Sequence, residues 1–476
     1  MKSYDIIVIG GGSGGLTVAA GAVGFGAKVA LIEKEREPGG DCLHTGCVPS
    51  KALIAAAKEL YTARKAAQAY GLELQGEADY GEAFRRVQAA KAAIQPHDST
   101  ERFRTLGVDV FYGYGQFRDF HHIEINGDEV IFGKRIVIAT GSRAAIPPIE
   151  GLQDVDYLTN ESVFDMRALP KSLVVIGGGP VGLELGQALA RLGCKVTVID
   201  RGTRLLSKED EEIVPYVQAA LEKEMSLMPH TAVHKVEALP GGRKRLYIEQ
   251  DGNMLQVEAD ALFIAAGRKP NTDRLGLSHI GIEMDGDHIA AKRTLQTNIP
   301  HIYAVGDVIK SFPYTHAAGM EGKIVVGNAV FGLKRKVSYD NVPWVTYTDP
   351  EIFHLGMTEK EAREQVGDEI CIYKLSLDEV DRFITDGHTE GIVKVITDRK
   401  GRILGAHAVG KGAGEWMQQA VLAKHYGHKL SDISQVVHPY PAYSEALMKT
   451  ANQYWQGKLF QGVTGRLLQA YVKRFR

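Results

Sequence analysis

A chain of 476 residues is expected to form roughly two to four domains, each with enough core to dispense with a disulfide staple. Its net charge of −2 provides no general attraction to nucleic acid or to an anionic membrane. No apolar run reaches the roughly 18 residues that a membrane span requires, and the first strand follows Met1 too closely to leave room for a signal peptide.

In chain order, Asp5–Ile9 is a short apolar, β-branched run of the kind that forms a strand buried on both faces. It enters Gly10-Gly11-Gly12-Ser13-Gly14-Gly15, which matches G-x-G-x-x-G at Gly10, Gly12 and Gly15. A helix-compatible run, Leu16–Ala27, leads to a second strand, Lys28–Ile32, that ends in Glu33, 23 residues after Gly10. Such glycines let a pyrophosphate approach a helix N-terminus, and the terminal acid can accept hydrogen bonds from a ribose. The unit recurs as strand Ser172–Ile176, loop Gly177-Gly178-Gly179-Pro180-Val181-Gly182, helix to Leu192 and strand Lys195–Ile199 ending in Asp200. Gly177 to Asp200 is again 23 residues, so two dinucleotides are expected.

Between these units lies Gly39-Gly40-Asp41-Cys42-Leu43-His44-Thr45-Gly46-Cys47-Val48-Pro49-Ser50-Lys51, with two of the four cysteines. Zinc sites usually repeat a Cys-x-x-Cys pair or add histidines, and no second pair exists here. A catalytic dithiol, oxidised and reduced in turnover, is the expected use, and it fits the reducing cytoplasm. Val48-Pro49 is expected to end the loop, with a helix established over Ala52–Ala57, so that Cys47 lies near a helix N-terminus that favours thiolate. No metal site is expected. Cys194 and Cys371 are read as small packed hydrophobes.

These segments resemble those of the pyridine nucleotide–disulfide oxidoreductases, which include dihydrolipoamide dehydrogenase, glutathione reductase and mercuric reductase. The resemblance is carried by G-G-x-C-x-x-x-G-C-x-P-S-K at Gly39–Lys51, Ala139-Thr140-Gly141-Ser142, Ala265-Ala266-Gly267-Arg268-Lys269-Pro270-Asn271 and Tyr303-Ala304-Val305-Gly306-Asp307. It implies an α/β fold with two Rossmann-like domains, one for FAD and one for NAD(P), and a C-terminal α+β dimerisation domain. The expected boundaries are 1–150 for the first FAD segment, 151–275 for NAD(P), 276–341 for the second FAD segment and 342–476 for the homodimer domain.

The resemblance also implies site residues. The first cofactor set is Gly10, Gly12, Ser13, Gly14, Gly15, Glu33 and Lys34, joined by Gly40, Asp41 and Lys51 from the cysteine stretch. Ala139, Thr140, Gly141, Gly306, Asp307 and Ala317 extend it, with Asp307 assigned to FAD. Gly177, Gly179, Val181, Gly182, Asp200 and Arg201 form the nicotinamide-side set, and Gly267 and Arg268 are further cofactor contacts. Cys47 becomes the flavin-proximal thiol, Cys42 the interchange thiol facing substrate, and Lys51 pairs with Glu184 near the flavin. At the second unit Asp200 favours NAD, whereas Arg201 and Arg204 could instead receive the 2′-phosphate of NADP.

One region departs from the family pattern. Where relatives carry His-Pro-Thr-x-x-Glu, this chain reads His438-Pro439-Tyr440-Pro441-Ala442-Tyr443-Ser444-Glu445, which puts Tyr440 at the position of the acid/base histidine. His438 falls two residues early, and Glu445 keeps its place. A phenol with a pKa of about 10 is a poor proton acceptor at neutral pH. The expected activity is therefore NAD(P)H-dependent reduction of a small disulfide or other thiol-reactive oxidant, in a mercuric-reductase-like branch. No cysteine follows Cys371 to relay a metal. The alternatives are a dihydrolipoamide dehydrogenase with another base, a flavin-only diaphorase or transhydrogenase, and a flavoprotein component docked to a carrier or membrane partner. The tail from Gln456 bears Lys458, Arg466, Lys473, Arg474 and Arg476 without an acid, interleaved with apolar residues. A solvated helix docked on its own dimer is the favoured reading, ahead of contact with a membrane or carrier.

Overall fold

The computed structural model of the chain describes residues 1–76, 79–460 and 462–475. It divides into two compact units, one formed by residues 1–201 and 231–339, the other by 202–230 and 340–476.

In the first unit, β1 (Ser3–Ile9), α1 (Ser13–Gly24) and β2 (Val29–Glu33) form the first strand–helix–strand unit. Strand β1 lies at the centre of the main sheet, parallel to β2 on one side and to the strand Glu129–Ile138 on the other. The strand Ile302–Ala304 adds to Glu129–Ile138 in parallel. Ile6, Ile7 and Val8 are buried on both faces, which explains a continuous apolar run where alternation would mark a half-exposed strand. The second strand–helix–strand unit is Ser172–Ile176, the helix Pro180–Leu192 and Lys195–Ile199. Its first strand pairs in parallel with Lys195–Ile199 and with Ala261–Ile264. Cys194 is buried beside it, as expected.

The second unit is built on a five-stranded antiparallel sheet in the order Pro343–Thr346, Glu351–Gly356, Ile403–Gly410, Ile392–Asp398, Ile370–Ser376. Phe353, Leu355, Val393 and Val395 of this sheet share a core with Trp416, Ala420 and Leu447 of its helices. A buried charge cluster is set into the same unit. Lys394, 1% exposed, holds Asp210 at 2.9 Å and Glu212 and Glu359 at 2.7 Å. A buried ammonium is tolerable only with such partners.

No helix among the described residues is long and apolar enough to cross a membrane.

Candidate active site

The first glycine loop is closed by geometry that excludes side chains. Gly10 has φ +105°, and a Cβ there would lie 2.4 Å from the Ala139 carbonyl oxygen; a Cβ on Gly15 would lie 1.9 Å from that of Gly10. The second loop repeats both contacts, Gly177 against Ala265 at 2.3 Å and Gly182 against Gly177 at 2.0 Å. Helices start at once, at Ser13 and Pro180, so each loop leads into a helix N-terminus, the end that favours an anion. The acids ending the second strands steady these loops. Glu33 accepts the Gly11 N–H at 2.6 Å and the Glu35 N–H at 2.8 Å, and Asp200 accepts the Gly178 N–H at 2.6 Å. Among the other candidates, Val181 is exposed, Ala317 is buried, and Lys34 is an exposed cation 3.3 Å from Glu35.

The cysteine stretch is fastened to the first loop. Gly39 N–H donates to the Gly11 carbonyl at 2.8 Å, and a Cβ on Gly40 would lie 2.7 Å from the Gly12 Cα. The stretch itself is helical: α2 spans Gly40–His44 and α3 spans Cys47–Tyr70. The helix thus begins at Cys47 and not after Pro49. Pro49 falls in the first turn, where a helix N–H has no partner to lose. Cys47 is therefore the first residue of a 24-residue helix, at its positive end.

Cys42 and Cys47 are free thiols with opposite proton affinities. The Cys47 thiol is lowered to about 6, first by a hydrogen bond from Cys42, then by the Thr315 hydroxyl and the Lys51 charge, against the opposing effect of burial. Thr315 Oγ1 lies 3.2 Å from Cys47 Sγ. Cys42 is pushed up by its hydrogen bond to Cys47 and by burial. One thiol is thus a thiolate at neutral pH while its neighbour keeps the proton. Lys51 Nζ lies 2.8 Å from the carboxylate of Glu184, which is buried in the helix Pro180–Leu192.

Two candidate cofactor residues distant in sequence, Asp41 and Asp307, meet at the guanidinium of a third, Arg268. Arg268 Nε donates to Ser142 Oγ at 2.7 Å and lies 3.4 Å from Asp307 Oδ2, while its Nη2 pairs with Asp41. Gly306 is held by Glu321, fully buried, which accepts its N–H at 2.6 Å and the Tyr339 hydroxyl at 2.6 Å. Gly141 and Thr140 adjoin Asn271: the Gly141 carbonyl accepts the Asn271 N–H at 2.9 Å, and the Thr140 hydroxyl donates to the Asn271 carbonyl at 2.8 Å. Sequence reasoning missed Thr315, Ser142 and Glu321 as site residues. None has a local motif of its own, although Ser142 ends a segment already singled out.

Tyr440, His438 and Glu445 belong to the other unit. The Tyr440 hydroxyl donates to Asp381 at 2.8 Å, which raises the phenol above its ordinary value and holds the Asp381 carboxyl below the usual range. His438 has one ring nitrogen 2.9 Å from the Val436 carbonyl and the other 2.7 Å from Gln419 Oε1. Glu445 is buried and accepts the Ala442 N–H at 3.3 Å. Arg204 is committed to its own loop, donating to the Ser207 and Glu209 carbonyls at 3.0 and 3.1 Å.

Residues 4–322 match the pyridine nucleotide-disulphide oxidoreductase family, and residues 342–451 match its dimerisation domain, which indicates a homodimer. The chain is 35% identical to a mercuric reductase of Lysinibacillus sphaericus over 94% of its own length and 82% of that protein. It is 32% identical to a dihydrolipoyl dehydrogenase of Bacillus subtilis over 94% of its length and 97% of that protein. Among solved structures it is similar to the HOCl-induced flavoprotein disulfide reductase RclA of Escherichia coli, as its Cu(II) complex. The TM-score is 0.85 at 25% identity, covering 95% of this chain and all of that one. The chain belongs to the pyridine nucleotide-disulphide oxidoreductases and is an FAD-dependent enzyme of that family.

Proposed function

We propose that the enzyme reduces a small disulfide or another thiol-reactive oxidant at the expense of NADH through Cys42 and Cys47. The observation that carries this reading is the split proton affinity of the pair, a Cys47 thiolate at a helix start beside a Cys42 thiol. FAD held along the first glycine loop supplies the two-electron link between the nicotinamide and the dithiol. The closed loop at Gly10 and Gly15, with the neighbouring Gly40, fits its pyrophosphate. In this reading Glu33, which steadies the loop, takes the ribose, and Asp307, tied to Arg268, takes the more distal phosphate and ribityl region.

Turnover of a disulfide substrate balances within the pair. Cys42, once deprotonated, attacks one substrate sulfur, the substrate S–S bond breaks, and the departing sulfur takes a proton. Cys47 then attacks Cys42 of the mixed disulfide, releasing the second substrate thiol and leaving a Cys42–Cys47 disulfide. The substrate is reduced by two electrons and the pair oxidised by two. Cys47 enters this sequence already ionised, and the proton that Cys42 gives up is the one the departing sulfur takes. At the position where relatives place histidine, Tyr440 keeps its proton, so removing protons from dihydrolipoamide is disfavoured. His438 is a weak substitute, with both ring nitrogens engaged.

NADH is the preferred donor in this reading. Asp200 is an acid where a 2′-phosphate would fall, and Arg204 turns its Nη2 to the carbonyls of its own loop, leaving Arg201 as the cation beside Asp200.

A substrate panel tests the reading, following NADH and NADPH consumption with lipoamide, glutathione disulfide, Hg(II), Cu(II) and small sulfur oxidants. Slow lipoamide turnover beside fast reduction of another electrophile is expected. Lipoamide as the fastest substrate would identify a dihydrolipoamide dehydrogenase with a different base.

A further inference from the structure

The helix Gly462–Arg474 begins 11 residues beyond residue 451, where the match to the family's dimerisation domain ends (462 − 451). Its apolar side chains are exposed on the chain: Leu467, Leu468, Tyr471, Val472 and Phe475, the last beyond the helix end, range from 45% to 72%. At 100° per residue they fall within an arc of about 140°, and the Tyr471 and Phe475 rings pack with a tilt of 49° and centroids 4.6 Å apart. Arg466, Lys473 and Arg474 occupy the remaining face, and no acid follows Glu445. Arg476, also counted in the basic tail, and Gln461 lie outside the described residues.

We propose that this helix lies flat on an anionic lipid surface and holds the reductase there. An apolar arc of this width with basic flanks is the pattern of an interfacial helix, whose apolar side enters the headgroup boundary while its cations meet anionic lipid. The absence of acids over the last 31 residues (476 − 445) gives the segment a local charge opposite to the chain's net −2. The helix lies past residue 451, where the match to the dimerisation domain ends. The helix is too short and too charged to span, so it rests on the surface. Attachment of this kind would place the enzyme where membrane-borne or membrane-permeant oxidants arrive.

Co-sedimentation of the full-length, flavin-loaded enzyme with phosphatidylcholine vesicles, with and without phosphatidylglycerol, tests this. Binding is expected only to the anionic vesicles, and it should weaken as salt rises. Replacing the three cations together, Arg466→Gln, Lys473→Gln and Arg474→Gln, should weaken partitioning on the order of 100-fold. The pair Leu467→Asp and Val472→Asp should abolish it while NADH turnover in solution stays unchanged, which shows that the variant is folded. Failure of the wild type to bind anionic vesicles would overturn the proposal. So would binding indifferent to salt and lipid charge, or binding kept by the aspartate pair. Concentration-dependent assembly beyond a dimer, lost in the aspartate pair and without vesicle binding, would assign the face to a second copy of the chain.

Discussion

Lys51 Nζ lies 2.8 Å from the carboxylate of Glu184, joining the helix that begins at Cys47 to the helix of the second glycine loop. The same ammonium helps to hold Cys47 as a thiolate. Replacing Lys51 by Met removes that charge and should raise the Cys47 pKa by about one unit. The check is the pH dependence of iodoacetamide reaction with the reduced enzyme. An unmoved midpoint in Lys51→Met would remove Lys51 from the account of Cys47.

In the wild-type enzyme the same alkylation profile should bend near pH 6, the value to which Cys47 is lowered, and not near the ordinary thiol value of about 8.5. The sign follows from the depressed value. Thiolate is present above pH 6 and is lost as pH falls through it, taking the fast phase of alkylation with it. Cys42→Ala removes the hydrogen bond that contributes most to the lowering, so its midpoint should move upward. A Cys42→Ala profile identical to wild type would contradict the hydrogen bond between the two sulfurs.

Tyr440→His places an imidazole beside Asp381, a carboxylate that would hold its ring and sustain its basicity. NAD-dependent oxidation of dihydrolipoamide should rise by about 10-fold or more, given the usual contribution of general base catalysis. No gain in a folded, flavin-loaded variant would mean that Tyr440 does not occupy the histidine position.

Glu321→Ala leaves a buried donor, the Gly306 N–H, and a half-buried one, the Tyr339 hydroxyl, without their acceptor. The expected loss of stability is about 2–4 kcal/mol, read from chemical denaturation of the flavin-loaded protein. Retention of FAD should fall with it, because Gly306 adjoins Asp307. Glu321→Gln keeps an acceptor for one donor and should lose less. Equal stability of Glu321→Ala and wild type would show that water replaces the carboxylate.

Both strand–helix–strand units were legible in the sequence, because buried parallel strands read as apolar runs and glycines that must admit a backbone have no substitute. The start of the helix at Cys47 was hidden by Pro49, which usually signals a boundary but is harmless in a first turn. The Asp41–Arg268–Asp307 cluster joins residues more than two hundred positions apart, and Thr315 reaches Cys47 across 268 positions. No local periodicity encodes either contact. Lys394 misleads in another way. In Ile392–Asp398 a lysine suggests a solvent-facing position, yet Asp210 from residues 202–230 folds into the same unit and neutralises it. At Tyr440 the departure from the family motif was plain, but its bond to Asp381, 59 positions away, was not.

The central claim, that electrons from the nicotinamide reach Cys42 and Cys47, is tested most directly by counting thiols. The flavin-loaded enzyme, oxidised beforehand, is given NADH without oxygen, quenched in acid, denatured and titrated. With four cysteines per chain and two in the redox pair, the count should rise from two to four. A count that stays at two while the flavin is fully reduced would contradict the dithiol mechanism and leave the cysteines outside the electron path.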